Sequence, residues 1–389
     1  MNRNLWLLAI CQGLFLTNNV AFVAINGLVG LSLAPLGWMA TLPVMGYVVG
    51  GAMSTGVVAR TQQRFGRKAS FQAGLAVAFF SALLCAYAAT TRNFWLLCFG
   101  TVVAGYYNAN AGLYRFAAAE LAEPAAREKA VSLVMAGGLL GAVVGPNLAA
   151  LTRDFFAQPF VGAYLALAVV ALISSLVLAF VKFAAPVRRA DAGGGRPLRE
   201  IMRQPIFIVA AASGSLGYGV MNLLMASTPI AMQQCSLPFS DTAFVLQWHV
   251  IGMFAPGFFT GNLIKRFGTL PVMGVGVLLN LGCIVVALSG VEVAQFTVAL
   301  FLLGVGWNFL FTASTTLSLS AYGPDEKDRA QGALNFFVFA TLAISSFSSG
   351  VLVTTQGWTW LNYGSLAPLA LTGAAILWLK FSSARPATV

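Results

Sequence analysis

The stretch "ARTQQRFGRK" (residues 59–68) decides the fold, because "GNLIKRFGTL" (residues 261–270) repeats its Arg-Phe-Gly 202 residues later. A second pair of loops shows nearly the same offset. "EPAAREKA" (123–130) and "GPDEKDRA" (323–330) both read Pro, four residues, a basic residue and Ala, 200 residues apart. Two matches in equivalent loops predict that the chain contains two copies of one structural unit.

The composition indicates an integral membrane protein. Hydrophobic residues make up 59% of the 389 residues and charged residues 8%, against about 25% charged residues in a soluble domain. Apolar runs long enough to cross the bilayer as helices recur along the whole chain. We therefore predict an all-α membrane protein with twelve transmembrane helices in two six-helix bundles. The predicted spans are 5–27, 38–58, 70–90, 94–116, 129–151, 160–183, 206–231, 242–264, 270–290, 294–318, 330–352 and 358–380.

One connection is longer than the others and divides the chain. Residues 184–205, "APVRRADAGGGRPLREIMRQPI", are rich in Gly, Pro and Arg, as a polar linker is. The sequence thus predicts an N-terminal six-helix bundle over 1–183, a cytoplasmic linker over 184–205 and a C-terminal six-helix bundle over 206–389.

The distribution of Lys and Arg predicts the orientation. If the N-terminus is cytoplasmic, only Arg92 and Arg153 lie on the outer side and the other 20 of the 22 basic residues lie inside. We expect a multi-pass protein of the bacterial cytoplasmic (inner) membrane with both termini in the cytoplasm and the first helix retained. The net charge of +11 then needs no nucleic-acid partner; the lipid bilayer is the expected surrounding.

The loop after the second span resembles the signature of the major facilitator superfamily, G-xxx-D-R-x-G-R-R/K. The matching residues are Arg64, Gly66, Arg67 and Lys68, whereas Ala59 replaces the glycine and Gln63 replaces the aspartate. The resemblance extends over essentially the full chain. It implies two six-helix bundles around a central cavity that opens alternately to each side of the membrane.

Ionisable residues inside a membrane span usually mark the coupling site of a transporter. Here all eleven carboxylates fall in loops or at helix ends, and the five cysteines form no CxxC pair. We interpret Arg115, at the inner end of the fourth span, as a side chain that extends to the interface. His249, the only histidine, remains the single group of physiological pKa at depth.

Methionines accompany this histidine at helical spacing. His249 and Met253 in the eighth span, and Met221 and Met225 in the seventh, are i,i+4 pairs. At 1.5 Å per residue the two pairs reach similar depths near the midplane, where transporters bind substrates. Thioethers and one imidazole form a soft ligand set that favours Cu(I) over harder ions. Packing is the alternative, since methionine commonly fills gaps between helices.

The same four positions resemble the MxxxM and HxxxM motifs of the CcoA-type copper importers. This resemblance implies that the chain imports copper by alternating access and supplies it for assembly of cbb-type cytochrome oxidase. Copper would be the transported substrate, with no permanently bound cofactor. A cytoplasmic copper chaperone or acceptor would be the protein partner.

Several other polar or sulfur-containing residues could line the cavity or pack between helices. They are Thr17, Asn18, Asn19, Asn26, Tyr106, Tyr107, Asn108, Asn110 and Tyr114, with Met45, Met53, Met232 and Cys235 as a copper relay. The alternative function is transport, including proton-coupled export, of a small amphipathic organic molecule such as a drug or siderophore. A membrane receptor is disfavoured by the short loops. No acid/base pair, hydrolase metal spacing or nucleotide loop indicates an enzyme.

Overall fold

A computed structural model describes residues 3–123, 127–183 and 195–382, and most of these residues are helical. Pro229 lies inside the helix Pro205–Gln234, which continues past this residue. The helices are α1 Arg3–Leu33, α2 Leu42–Thr90, α3 Phe94–Ala111, α4 Tyr114–Leu121, α5 Arg127–Thr152, α6 Val161–Ala179, α7 Leu198–Met202, α8 Pro205–Gln234, α9 Phe239–Phe254, α10 Gly257–Phe267, α11 Thr269–Leu288, α12 Val293–Ser318, α13 Lys327–Thr355 and α14 Gly357–Ser382.

The helices account for the twelve predicted crossings. Nine helical stretches of the described chain are long and apolar enough to span a membrane, and the bent pair α9–α10 is a tenth. The stretch Gly37–Thr90 has 54 residues, about twice the length that crosses a bilayer, so it crosses twice. The broken pair α3–α4 completes the set.

Both Arg-Phe-Gly stretches turn at their glycine. Gly66, inside α2, has φ 81° and ψ 169°, and Gly268, between α10 and α11, has φ 88° and ψ 166°. A side chain is strongly disfavoured in this region of backbone space. The two sharp turns between consecutive helices therefore have the same geometry and the same residue requirement.

Two predicted spans are broken instead of continuous. The fourth divides into α3 and α4 around Gly112 and Leu113. The eighth bends by 41° between α9 and α10, where Pro256 caps α10. Proline lacks the N–H that would continue the helix. Asn308 of α12 donates to the Met253 carbonyl at 2.7 Å, which satisfies one carbonyl close to this break.

Close glycine contacts pack the helices within each half. A Cβ on Gly50 of α2 would overlap the Val102 carbonyl of α3, and a Cβ on Gly252 of α9 would lie 2.8 Å from the Phe301 carbonyl of α12. Small residues let transmembrane helices approach in this way. The second and fourth crossings thus pack as the eighth and tenth do.

The described part of the predicted linker docks on the second half. Residues 184–194 lie outside the described residues, but Arg196 donates to the Glu326 carboxylate from its backbone N–H and from its guanidinium at 2.7–2.8 Å. The Gly323 N–H donates to the same carboxylate at 2.9 Å. These hydrogen bonds hold the pKa of Glu326 well below its usual range.

The two halves meet firmly at one end. We call the end with the two Arg-Phe-Gly turns the basic side, and the opposite end the far side. On the far side Thr41 donates to the Ser346 carbonyl at 2.6 Å and the rings of Trp38 and Phe347 are 5.9 Å apart. These contacts join the halves between α2 and α13 on the far side.

Candidate functional site

A cavity of about 300 Å³ lies between the helices toward the basic side. This volume is at the lower end of the range of small-molecule pockets. Helices α4, α8, α12 and α13 supply its walls, so both halves of the chain contribute. The lining residues are Arg115, Phe116, Ala210, Ala211, Gly214, Ser215, Phe311, Ser314, Thr315, Ser318, Tyr322, Gln331, Leu334, Asn335 and Val338.

Aromatic rings extend from this cavity toward the midplane. The rings of Trp307 and Phe311 stack at 5.3 Å with an interplanar angle of 9°, because residues four apart lie on one helix face. Tyr218 of α8 makes edge contacts with both, at 5.1 and 5.2 Å. Phe254 lies 6.3 Å from Trp307. We call Tyr218, Phe254, Trp307 and Phe311 the aromatic platform.

The first half presents amides and a phenol near the same level. Asn19 of α1 donates to the Tyr47 hydroxyl at 2.9 Å and to the Asn108 carbonyl oxygen at 3.3 Å. The first half therefore contains a hydrogen-bonded polar group made of Asn19, Tyr47 and Asn108.

Arg115 lies farther from the end of its helix than the predicted span 94–116 implies. It lies just after the break in the fourth crossing, six residues before α4 ends at Leu121, or roughly 9 Å from the helix end. Its side chain lines the cavity. Arg115 is an exposed residue, so its predicted extension toward the interface stays a prediction.

The predicted metal residues are all buried. Met221, Met225 and Met253 belong to one apolar cluster, and His249 is 0% exposed. The Nδ1 atom of His249 lies 2.7 Å from the Leu300 carbonyl of α12. Since a carbonyl only accepts, Nδ1 carries the proton of the neutral ring, and Nε2 is buried without a partner.

Most of the other predicted cavity residues pack between helices. Asn18 donates to the Leu167 carbonyl and Asn26 accepts from the Tyr164 hydroxyl, while Asn110 donates to the Ser70 carbonyl. Thr17, Tyr107 and Tyr114 are buried. Among the relay residues, Met53 is 72% exposed and Met232 is fully buried. Asn19, Tyr106 and Asn108 are the half-buried residues of the set, with Met45 and Cys235.

Sequence reasoning missed the aromatic platform and the serines beside it. The available signal was "GWNFLF" (306–311), in which Trp307 and Phe311 are four residues apart. That spacing predicts a shared helix face but leaves the direction of the face open. The serines Ser215 and Ser314 give no distinctive signal in an apolar helix.

A second cavity, of about 410 Å³, lies at the far side. Arg92 and Arg153 line it together with Phe160 and Phe239, whose rings are 5.0 Å apart and join the two halves. Arg153 lies over the Phe160 ring at 5.3 Å. This cavity is outside the aromatic platform.

Two proteins that resemble this chain over nearly its whole length are both transporters. The riboflavin transporter RfnT of Brucella anthropi is 37% identical over 366 residues, which cover 93% of this chain and 92% of that protein. The uncharacterized transporter YdeG of Bacillus subtilis is 27% identical over 396 residues, covering 97% and 92%.

Solved structures share the fold at low sequence identity. The nucleoside transporter NupG superposes with a TM-score of 0.78 at 11% identity, over 96% of this chain and 99% of that one. A bacterial metal transporter superposes with a TM-score of 0.69 at 14% identity, over 99% and 100%.

The sequence profile of the Major Facilitator Superfamily matches residues 5–254 and 220–389, which together cover almost the whole chain. The family and its relatives indicate a membrane transport protein and not an enzyme. On this evidence the chain is a secondary transporter that belongs to the Major Facilitator Superfamily.

Proposed function

We propose that this protein transports riboflavin, or a planar heteroaromatic solute of similar shape, by alternating access. The observation that carries the proposal is the stacked pair Trp307–Phe311, with Phe311 on the cavity wall. Flat aromatic ligands stack on such rings and contact their edges. The 37% identity to a riboflavin transporter over nearly the whole chain supports this solute class.

This function replaces the copper importer as the first choice. The alternative function predicted from the sequence was transport of a small organic molecule such as a drug or siderophore. The aromatic platform and the relative both favour an organic solute and narrow its chemistry to fused aromatic rings. We also propose that the protein lies in the bacterial inner membrane with both termini in the cytoplasm. The 20 basic residues on one side of the membrane support this orientation.

The far-side contacts then have a functional meaning. If the basic side is cytoplasmic, Thr41–Ser346 and Trp38–Phe347 close the outer entrance, and the cavity beside Phe311 is the inward-facing binding space. Alternating access requires these contacts to separate when the cavity closes.

Uptake of radiolabelled riboflavin tests the proposal. The chain is expressed in a bacterium that lacks its own riboflavin transporter, and uptake is compared for the native protein, Trp307→Leu and Phe311→Leu. Loss of one stacking ring is worth about 1 kcal/mol, so we expect KM to rise about fivefold or more. Phe309→Leu is the matched control, because Phe309 is a buried ring of the same helix that pairs with Phe259 and does not line the cavity.

Two results would contradict the proposal. One is that cells with the native protein in their membrane take up no more flavin than cells without it. The other is that Phe309→Leu impairs uptake as strongly as Phe311→Leu, which would mean that packing and not stacking is measured.

Copper import remains a second candidate because of one observation on His249. Its Nε2 is buried and unpartnered while Nδ1 is held by the Leu300 carbonyl, an arrangement typical of a metal-ligating histidine. Met221, Met225 and Met253 would complete the copper site, and a cytoplasmic acceptor would receive the ion. The ring must be neutral to bind, so copper uptake would weaken at low pH.

Copper uptake by Met225→Leu and His249→Ala separates the two candidates. If copper is the substrate, both variants lose isotopic copper uptake and neither changes riboflavin uptake. Unchanged copper uptake in both variants, with the proteins present in the membrane, excludes this candidate.

A further inference from the structure

Arg115 is a charge without an obvious counter-ion. Its side chain lines the cavity, and its guanidinium lies 4.9 Å from the ring centroid of its own neighbour, Phe116. Within the described residues the ion pairs are Arg67–Glu120, Arg153–Asp154 and Arg196–Glu326. Charged side chains that line a cavity between transmembrane helices commonly belong to a substrate pathway.

Two serines in the same cavity as Arg115 have hydroxyls without hydrogen-bond partners. Ser215 of α8 and Ser314 of α12 are 4% and 3% exposed, line the same cavity, and have hydroxyls without a hydrogen-bond partner. Buried hydroxyls are nearly always hydrogen-bonded, and mid-helix serines usually bond a carbonyl of their own helix. Two unused hydroxyls in one cavity wall therefore indicate hydrogen bonds that a bound molecule completes.

The backbone explains why these hydroxyls lie together. Gly214 has no side chain, and the Cβ that it lacks would lie 3.4 Å from the Ser314 Cβ, so α8 and α12 approach closely here. Phe311 lies one turn before Ser314 on the same helix. The serines consequently lie next to the aromatic platform, whose Trp307 Nε1 is likewise buried and unpartnered.

We propose that Arg115, Ser215 and Ser314 form a polar subsite that binds oxygen acceptors of an aromatic substrate whose rings contact the platform. A guanidinium offers several N–H donors in a fixed plane and suits paired oxygens. The oxygens come either from a carbonyl edge of the ring system or from an anionic group attached to it. Arg115 is the specificity-determining residue. This inference rests on the proposed function, because it assigns the polar end of the same solute.

Competition experiments on riboflavin uptake test the subsite. Three competitors are compared: lumichrome, which keeps the ring carbonyls; flavin mononucleotide, which adds a phosphate; and phenazine, a tricyclic aromatic without oxygens. In Arg115→Met the inhibition constant of the oxygen-bearing competitor that uses the subsite should rise about 10- to 100-fold, and that of phenazine should stay constant. A rise for lumichrome identifies the carbonyl edge, and a rise confined to flavin mononucleotide identifies the anionic group.

Two further variants separate binding from folding. Arg266→Met is the matched control, because the Arg266 guanidinium lies 5.2 Å from the ring centroid of its neighbour Phe267, much as Arg115 lies over Phe116, and Arg266 does not line the cavity. Ser215→Ala with Ser314→Ala should raise KM for riboflavin and leave kcat nearly constant. Arg115→Lys should restore part of the affinity for an anionic group and less of that for a carbonyl edge.

The outcomes distinguish this inference from the proposed function. If the native protein transports no flavin, the proposed function fails. If the native protein transports flavin, two results would contradict the polar subsite and leave the proposed function standing. One is that Arg115→Met leaves all three inhibition constants unchanged. The other is that it raises the inhibition constant of phenazine as much as those of the oxygen-bearing competitors.

Discussion

The two Arg-Phe-Gly turns share a backbone and differ in the side chains that follow it. Gly66 and Gly268 agree within 7° in φ and 3° in ψ. In the first half the next residue is Arg67, which binds Glu120 through two short hydrogen bonds. In the second half the next residue is Thr269, which begins a helix. The backbone turn is therefore present in both halves, and the ion pair in only one.

The cavity shows the same division of roles. The first half supplies the charge of Arg115, whereas the second half supplies Phe311, which stacks on Trp307, and the hydroxyls of Ser215 and Ser314. A duplicated backbone thus positions two unlike walls around one space. Such a difference suits a solute with one polar and one aromatic part, and it indicates that the repeat serves the fold while the side chains serve recognition.

The largest expected effect comes from the glycine contacts within each half. Gly50→Ala places a methyl against the Val102 carbonyl, and Gly252→Ala places one 2.8 Å from the Phe301 carbonyl. Because backbone must move in both cases, we expect losses of about 1–3 kcal/mol or more in the free energy of unfolding. Gly50→Ala should be the worse, since its contact is closer. Thermal unfolding of the purified protein in detergent measures the difference.

Gly261→Ala is the control for these substitutions. Gly261 is also helical, but nothing lies within 4 Å of the added methyl. Alanine favours a helix over glycine, so the thermal midpoint should stay constant or rise slightly. If Gly50→Ala behaves like Gly261→Ala, the close approach of α2 and α3 is wrong.

At the two turns we expect a smaller loss of stability, of equal size in both halves. Gly66→Ala and Gly268→Ala force a side chain into a glycine-only region, which costs about 1–3 kcal/mol, and the nearly identical angles predict nearly identical losses of thermal stability. Gly332→Ala, in a helix with nothing within 4 Å, controls for the added methyl. Unequal losses at Gly66 and Gly268 would mean that the two turns are not equivalent.

The sequence predicts the membrane architecture well because hydrophobic length and repeated turn residues are local signals. The Arg-Phe-Gly repeat and the apolar runs are sufficient for twelve crossings. The breaks at Gly112 and near Pro256 are harder to predict from the sequence, because glycine and proline are tolerated within many transmembrane helices. Only neighbouring groups such as Asn308, which satisfies the Met253 carbonyl, make such a break stable.

The candidate site is less predictable because it depends on how each helix is rotated about its axis. The i,i+4 spacing correctly indicates that His249 and Met253 share a face, but it does not indicate which helix that face contacts. In the structure His249 bonds to Leu300 of α12. The position of Arg115 along its span is hard to predict for a related reason: a continuous span would end near it, whereas the broken span continues to Leu121.

The smallest effect is expected from the ion pair that only the first half has. Arg67 and Glu120 are partly and largely exposed, so water and salt screen their attraction. A double-mutant cycle with Arg67→Ala and Glu120→Ala should give a coupling of less than about 1 kcal/mol in the free energy of unfolding, and high salt should reduce it further. Because Thr269 stands at the equivalent place, the second half turns without such a pair. A coupling of several kcal/mol that resists salt would contradict this, and would mean that the first turn, unlike the second, requires its charges to fold.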